Sequence, residues 1–182
     1  MKNGLRLLIS GLLIAYPLLV WWLAQNGLTN WLLLVLLALL SLSIVSQGIR
    51  HPRSWLTLAV LLVVSVTAIF ADQLTGVLFY PVWMNSALLL VFLASLWRKP
   101  AVITRLAMLM EGSLSDKAVA YTEKVTLVWA IFFLVNGAIS LVTAVHGDLK
   151  LWTLYNGFIS YVLIGLLFVI EWSVRRVVKH KH

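Results

Sequence analysis

This 182-residue chain has no cysteine, which excludes disulfides, thiolate metal centres and cysteine nucleophiles at the outset. Acidic residues are scarce, six Asp and Glu against 14 Lys and Arg, and charged residues of both signs make up only 11% of the chain. Proline occurs four times, and Pro52 and Pro100 fall in breaks between apolar runs. What is abundant is apolar: 62% of residues are hydrophobic and the mean hydropathy is +1.00. Too little polar surface is left to coat a soluble globule, and the expected class is an all-α integral membrane protein. In such a chain the formal charge of +8 marks a cytoplasmic face rather than a nucleic-acid partner.

A membrane span needs about 20 mainly apolar residues. The sequence predicts six transmembrane helices in a single polytopic domain: Leu7–Ala24, Leu28–Ser46, Trp55–Ala71, Phe79–Trp97, Val125–Val145 and Leu151–Val174. Turn-forming stretches separate them, "QNGLTN", "QGIRHPR", "ADQLTG", "RKP" and "HGDLK" among them. Lys2 and Arg6 ahead of an apolar run give the start the look of a signal peptide. Bulky Trp22, two residues before Ala24, stands where a cleavage site needs a small side chain, so this is expected to be an uncleaved first span.

The basic residues set the expected orientation. With six spans, Lys2, Arg6, Arg50, Arg53, Arg98, Lys99, Arg105, Lys117, Lys124, Arg175, Arg176, Lys179 and Lys181 fall on one side and only Lys150 on the other, which places both termini in the cytoplasm. Trp21, Trp22, Trp31, Trp83 and Trp152 then cluster at the outer span ends and Trp55, Trp97, Trp129 and Trp172 at the inner ends, as interfacial anchors. An inverted repeat has little support: the two three-span halves share only the "YP" pairs Tyr16-Pro17 and Tyr80-Pro81, at different depths.

One helix is expected not to span. "AVITRLAMLME", residues 101–111, puts Val102, Ile103, Leu106, Leu109 and Met110 on a broad apolar face but is too short to cross, so it should lie in the cytoplasmic interface. Gly112 can end it, and Ser113 with Asp116 can cap the helix that follows. Around it Arg98, Lys99, Arg105 and Lys117 form a candidate cytoplasmic docking surface. Anionic lipid headgroups are its simplest partner, at about 1 kcal/mol per well-placed basic residue.

Polar residues inside the spans are the other candidates. "NGAIS" at Asn136–Ser140 echoes "NGFIS" at Asn156–Ser160, and Asn85 reaches a comparable depth in the outer half of the bilayer. Asn136 and Ser140, and likewise Asn156 and Ser160, are four apart and share a helix face. Asn85, Asn136, Ser140, Asn156 and Ser160 thus make a candidate intramembrane cluster; Asp72, at an outer span end, is most simply solvated, but is the best proton or cation ligand for the cluster if it faces them. Helix-to-helix glue is the preferred role and a ligand cavity the alternative. Gly157, Tyr161 and Gly165 form a second row suited to close helix approach, and Glu171 precedes Arg175 by one turn in the favourable order. The four histidines form no metal set and no nucleophile–base pair, so no catalytic residue, metal or cofactor is assigned.

The runs "FYPVWMNSALLLVFLASLWRKPAVITRLA", "AVAYTEKVTLVWAIFFLVNGAISLVTA" and "WTLYNGFISYVLIGLLFVIEWSVRR", from Phe79 to Arg176, resemble an uncharacterised bacterial inner-membrane family often encoded beside aryl-polyene or type II fatty-acid-like biosynthesis genes. In "KP", then "TLVW" and "FF", then an Asn, the chain is also distantly similar to the intracellular septation protein A family. The resemblance implies a multi-pass protein of the bacterial inner membrane, a role in envelope lipid or polyene biogenesis, and an acidic acyl carrier protein as a further partner for the basic surface. The function expected is a non-catalytic docking, organising or lipid-handling component. A small carrier or flippase using the outer-half amides is the alternative, and an acyl- or glycosyl-transferase using His51, Glu111 or Asp116 comes last.

Overall fold

The computed structural model describes residues 2–48 and 50–180. Of the basic positions assigned above, Lys181 lies outside the described residues, as do the side chains of Lys2, Arg6, Arg53, Arg176 and Lys179. Among the described residues every regular element is helical: α1 (Lys2–Ile14), α2 (Tyr16–Gln25), α3 (Leu32–Gln47) after a 3-10 turn, α4 (Pro52–Phe70), α5 (Gln73–Leu78), α6 (Tyr80–Trp97), α7 (Val102–Glu111), α8 (Asp116–His146), α9 (Leu149–Leu154) and α10 (Ser160–His180). Four helices, Thr29–Gln47, Tyr80–Trp97, Asp116–His146 and Leu149–Arg175, are long and apolar enough to cross a membrane, and a bent pair adds a fifth. Ser54–Phe70 is apolar but shorter.

The bent pair is the expected first span, broken at Ala15 by 62°. Pro17 explains the break, because its ring removes a backbone N–H and crowds the carbonyl one turn earlier. At the break the Ile14 carbonyl accepts the Tyr161 hydroxyl at 2.6 Å, a side chain supplying a donor where the helix is interrupted. The last predicted span is also irregular. Between α9 and α10, Tyr155–Ile159 winds as a π-helix, in which the Ser160 N–H reaches the Tyr155 carbonyl. Along this wider turn the Asn156 amide donates to the Trp152 carbonyl at 3.0 Å and the Ser160 hydroxyl to the Asn156 carbonyl at 3.1 Å.

The residues group into two compact units. The first runs up to Met84 and includes Ile139–Tyr161. In it α3 packs on α1 and α4, α5 folds back on α4, and α2 lies against α9. Two glycines set the spacing. A Cβ on Gly76 would stand 2.7 Å from that of Ala68 on α4, and one on Gly157 would stand 3.3 Å from that of Pro17 on α2. Gly165, from the same expected row, has open space beside it. Tyr16, Val20, Leu36, Leu40, Val64, Val77 and Trp152 are the buried centre. Trp152 corrects its expected place in an interfacial belt: it is fully buried, and its indole N–H donates to the Leu78 carbonyl at 2.9 Å.

The second unit comprises Asn85–Ala138 and the chain from Val162. Val125, Trp129 and Phe133 of α8 form its core, flanked by Leu89 and Phe92 of α6, Ile103 of α7 and Leu167 of α10. Trp129 is therefore a core residue rather than an anchor; its ring lies 4.7 Å from that of Phe168, and Phe92 meets Phe133 edge-on at 5.1 Å. Trp21, Trp22, Trp31, Trp55, Trp97 and Trp172 are exposed.

Large apolar side chains also cover the outside. Leu166, Phe168, Val169 and Ile170 of α10, and Val142 and Val145 of α8, are all exposed. Soluble monomers do not present contiguous apolar surface on this scale, and such faces fit a helical membrane protein.

Gly76→Ala forces α5 off α4, because the new methyl meets Ala68 backbone as well as side chain. It is expected to lower unfolding stability in detergent by about 1–3 kcal/mol, while Gly165→Ala leaves the thermal midpoint unchanged or slightly raised.

Candidate functional site

Along α8 the buried residues Thr122, Thr126, Trp129, Phe133, Asn136, Ser140 and Thr143 follow one another at intervals of four and three. That is the 3.5-residue repeat of a packing seam, and its two ends are polar while its middle is aromatic. In hydrocarbon each polar member must be satisfied by the protein itself.

Asn136 donates its amide N–H to the Asn85 side-chain carbonyl at 3.0 Å, and both residues are buried. Gly137 makes this pair possible, since a Cβ there would come within 3.1 Å of the Asn85 Cβ. One turn later Ser140 donates to the Asn156 side-chain oxygen at 2.7 Å, and Asn156 donates back to the Thr143 hydroxyl at 3.1 Å. With its further bond to the Trp152 carbonyl, the Asn156 amide has its oxygen and nitrogen both engaged. The repeated "NG…S" thus has a physical meaning: Asn and Ser supply the hydrogen bonds, and Gly lets the partner come near.

The structure pairs Asn85 with Asn136, and Ser140 with Asn156, whose carbonyl takes Ser160. It does not recruit Asp72. That carboxylate is exposed and caps α5, accepting the backbone N–H and hydroxyl of Thr75, which hold it below the usual carboxylate range. Asp72 is removed from the cluster because the turn after α4 leaves it a local donor set.

The threonines were not foreseen. Thr104 and Thr122 share a buried hydrogen bond of 2.8 Å between α7 and α8, and the Ile103 N–H donates to Thr126 at 3.3 Å. The signal that locates them is the four-three spacing through Thr122, Thr126 and Thr143 on α8.

The apolar face expected of α7 is kept in part. Ala107 and Thr104 face the protein with Ile103, while Leu106, Leu109 and Met110 point outward and are exposed. Small or hydroxyl-bearing residues suit close packing on α8, and the long apolar side chains are left for the surroundings.

The four expected docking cations do not act alike. Arg105 folds its guanidinium back onto the α6–α7 turn, donating to the carbonyls of Pro100 at 2.6 Å and Arg98 at 3.1 Å. Lys99 pairs with Glu123 at 2.8 Å. Lys117 enters no ion pair among the described residues.

Lys117 instead lines an open cavity of about 410 Å³ at the α7–α8 turn, together with Glu111, Ser113, Ser115, Tyr121 and Arg175. Arg175 grips Glu171, one turn back on α10, at 2.7 Å and lies 4.0 Å from Glu111. The Tyr121 hydroxyl donates to the Glu171 carbonyl at 3.4 Å, which ties α8 to α10 at the cavity wall. Comparison with protein-family models, curated proteins and solved structures gives no match for this chain. The site must be read from its own residues. Among those described, no group of three or more His, Asp and Glu could hold a metal ion.

Replacing Asn136 by Leu leaves the Asn85 carbonyl without the amide donor of Asn136 in an apolar setting, and Asn85→Leu takes from the Asn136 amide its Asn85 acceptor. Unfolding of Asn85→Leu, Asn136→Leu and the double variant in detergent should give a coupling of about 0.6–2 kcal/mol. Asn156→Leu, which removes three side-chain hydrogen bonds, should lower unfolding stability in detergent by more than the loss of one such bond, about 0.6–2 kcal/mol.

Proposed function

We propose that this chain is a six-span protein of the bacterial inner membrane, with both termini cytoplasmic, serving as a non-catalytic, lipid-handling component of envelope lipid or polyene biogenesis. The bent pair α1–α2 is the first span and α4 the third. At 1.5 Å per residue the apolar stretch of α4 covers about 25 Å, at the short end of what crosses a bilayer.

The α7–α8 junction carries the functional reading. Outward Leu106, Leu109 and Met110 stand on a helix whose other side is bonded to α8, and the turn that follows opens into a cavity with charges of both signs. An interfacial helix beside a polar-mouthed cavity suits a molecule with a polar head and apolar tail. The amide cluster points the same way by elimination, because its members satisfy each other. Lipid is favoured over an acyl carrier protein as the partner, because Arg105 and Lys99 are engaged within the protein and the basic surface is smaller than its sequence count.

A carrier role has one observation in its favour, the broken first span, since interrupted helices line binding sites in many transporters. Here Tyr161 and Gly157 close the break by hydrogen bond and contact, so it ranks second.

Disrupting the gene and profiling envelope lipids and pigments by leaflet tests the proposal. Unchanged product chemistry with altered amount or distribution, restored by the intact chain, is the expected outcome. An unaltered lipid and pigment profile contradicts lipid handling. Reporters fused after His182 and within "QGIRHPR" should read cytoplasmic and one within "HGDLK" periplasmic; a periplasmic C-terminus overturns the six-span orientation.

A further inference from the structure

We infer that the α7–α8 cavity is a binding site for a zwitterionic phosphodiester carrying a primary ammonium, the headgroup chemistry of phosphatidylethanolamine; this deepens the lipid-handling reading and rests on it. Charge is the first argument. Lys117 and Arg175 line the cavity as cations, Glu111 lines it as an anion, and Arg175 is held by Glu171 behind it. Among the described residues Glu171 offsets Arg175, which leaves Lys117 and Glu111 as one charge of each sign at the cavity, so a net-neutral ligand leaves no excess of either. A purely anionic headgroup would meet Glu111, and a purely cationic one would meet Lys117; a molecule with both charges separated by a short link can place each against its opposite.

Donor chemistry is the second argument. Lys117 and the hydroxyls of Ser113 and Ser115 offer donors to phosphate oxygens, and the Ser115 oxygen already accepts the Ala118 N–H, leaving its hydroxyl proton to give. Glu111 accepts N–H bonds, which a primary ammonium supplies and a quaternary one does not. The third argument is shape. About 410 Å³ lies within the range of pockets that hold small molecules, about 300–1,000 Å³. Ala107, Leu114 and Ala118 line its apolar part, and the next turns of α7 carry the outward Leu106, Leu109 and Met110. A headgroup in the cavity therefore has a route for its acyl chains along α7.

The test uses the full chain, purified in mild detergent, with retention measured by native mass spectrometry. Phosphatidylethanolamine is the probe, phosphatidylglycerol and phosphatidylcholine the comparisons, and soluble glycerophosphoethanolamine the competitor. The proposal expects phosphatidylethanolamine to be retained over both comparison lipids, and Lys117→Glu and Glu111→Lys each to lower retention by about tenfold or more. Lys124→Glu, the same charge change on an exposed residue that does not line the cavity, should leave it unchanged, and circular dichroism should show all three variants melting like the parent. Displacement by glycerophosphoethanolamine at concentrations comparable to the lipid assigns the site to a soluble ligand of the same chemistry; resistance assigns it to the lipid. Equal retention of the three lipids, or equal retention by parent and cavity variants, overturns the assignment. That failure would leave a lipid phenotype of the disrupted gene untouched, and an absent phenotype would not explain a headgroup preference, so the two readings fail separately.

Discussion

A hydrogen-bonding group inside an apolar helix bundle has no water to fall back on, and α8 meets that constraint along a single face. Its seam begins with threonines that bond α7, passes through Trp129 and Phe133, and ends with Asn136, Ser140 and Thr143. Each polar member has a partner in a specific place, whereas the aromatic middle needs only area. Interhelical polar bonds in membranes contribute about 0.6–2 kcal/mol each, so no single one holds the bundle. Their value lies in register: an amide finds its partner at one rotation and one depth, while leucines pack at several.

This division also explains where function can sit. Groups that satisfy each other are closed to ligands, which applies to Asn156 with its three bonds and to Asn136 with Asn85. The open chemistry is at the α7–α8 turn, where Glu111, Lys117 and Arg175 border a cavity. Seen this way, α7 acts as a bracket. Its inner side is spent on Thr104, Ala107 and Ile103, and its outer side, with Leu106, Leu109 and Met110, is exposed.

Much of this was legible in the sequence, and the failures share a cause. Apolar run length announced an all-helical chain, of which four helices, or five with the bent pair, are long and apolar enough to cross a membrane, and the echo "NGAIS" and "NGFIS" pointed to residues that the structure does hydrogen-bond. Glu171 and Arg175 meet as an i,i+4 pair because that contact is local. What escaped depended on distant partners. Pro17 announces a possible kink, yet only the nearness of Tyr161 shows how the broken turn is satisfied. Trp152 looks like any belt tryptophan until the Leu78 carbonyl is found beside it. Arg105 counts as a surface cation in any tally of charge, and its fold-back onto Pro100 and Arg98 follows from loop geometry alone. Asp72 is most simply solvated as a residue at an outer span end, and it is found exposed, capping α5 through Thr75; its alternative place beside the amides is not taken.

The absence of cysteine makes the central claim directly testable, because a single introduced thiol reports without background. Ser140→Cys places it at the fully buried point where α8 meets Asn156, and Asn30→Cys provides an exposed control away from the α7–α8 cavity. With a water-soluble maleimide in native membranes opened to both faces, a dry, self-satisfied seam predicts no modification at Ser140→Cys until detergent denaturation, and rapid modification at Asn30→Cys throughout. Labelling of Ser140→Cys in the folded protein at a rate near that of the control would mean that water reaches the amides, and the seam would then be the wall of a cavity.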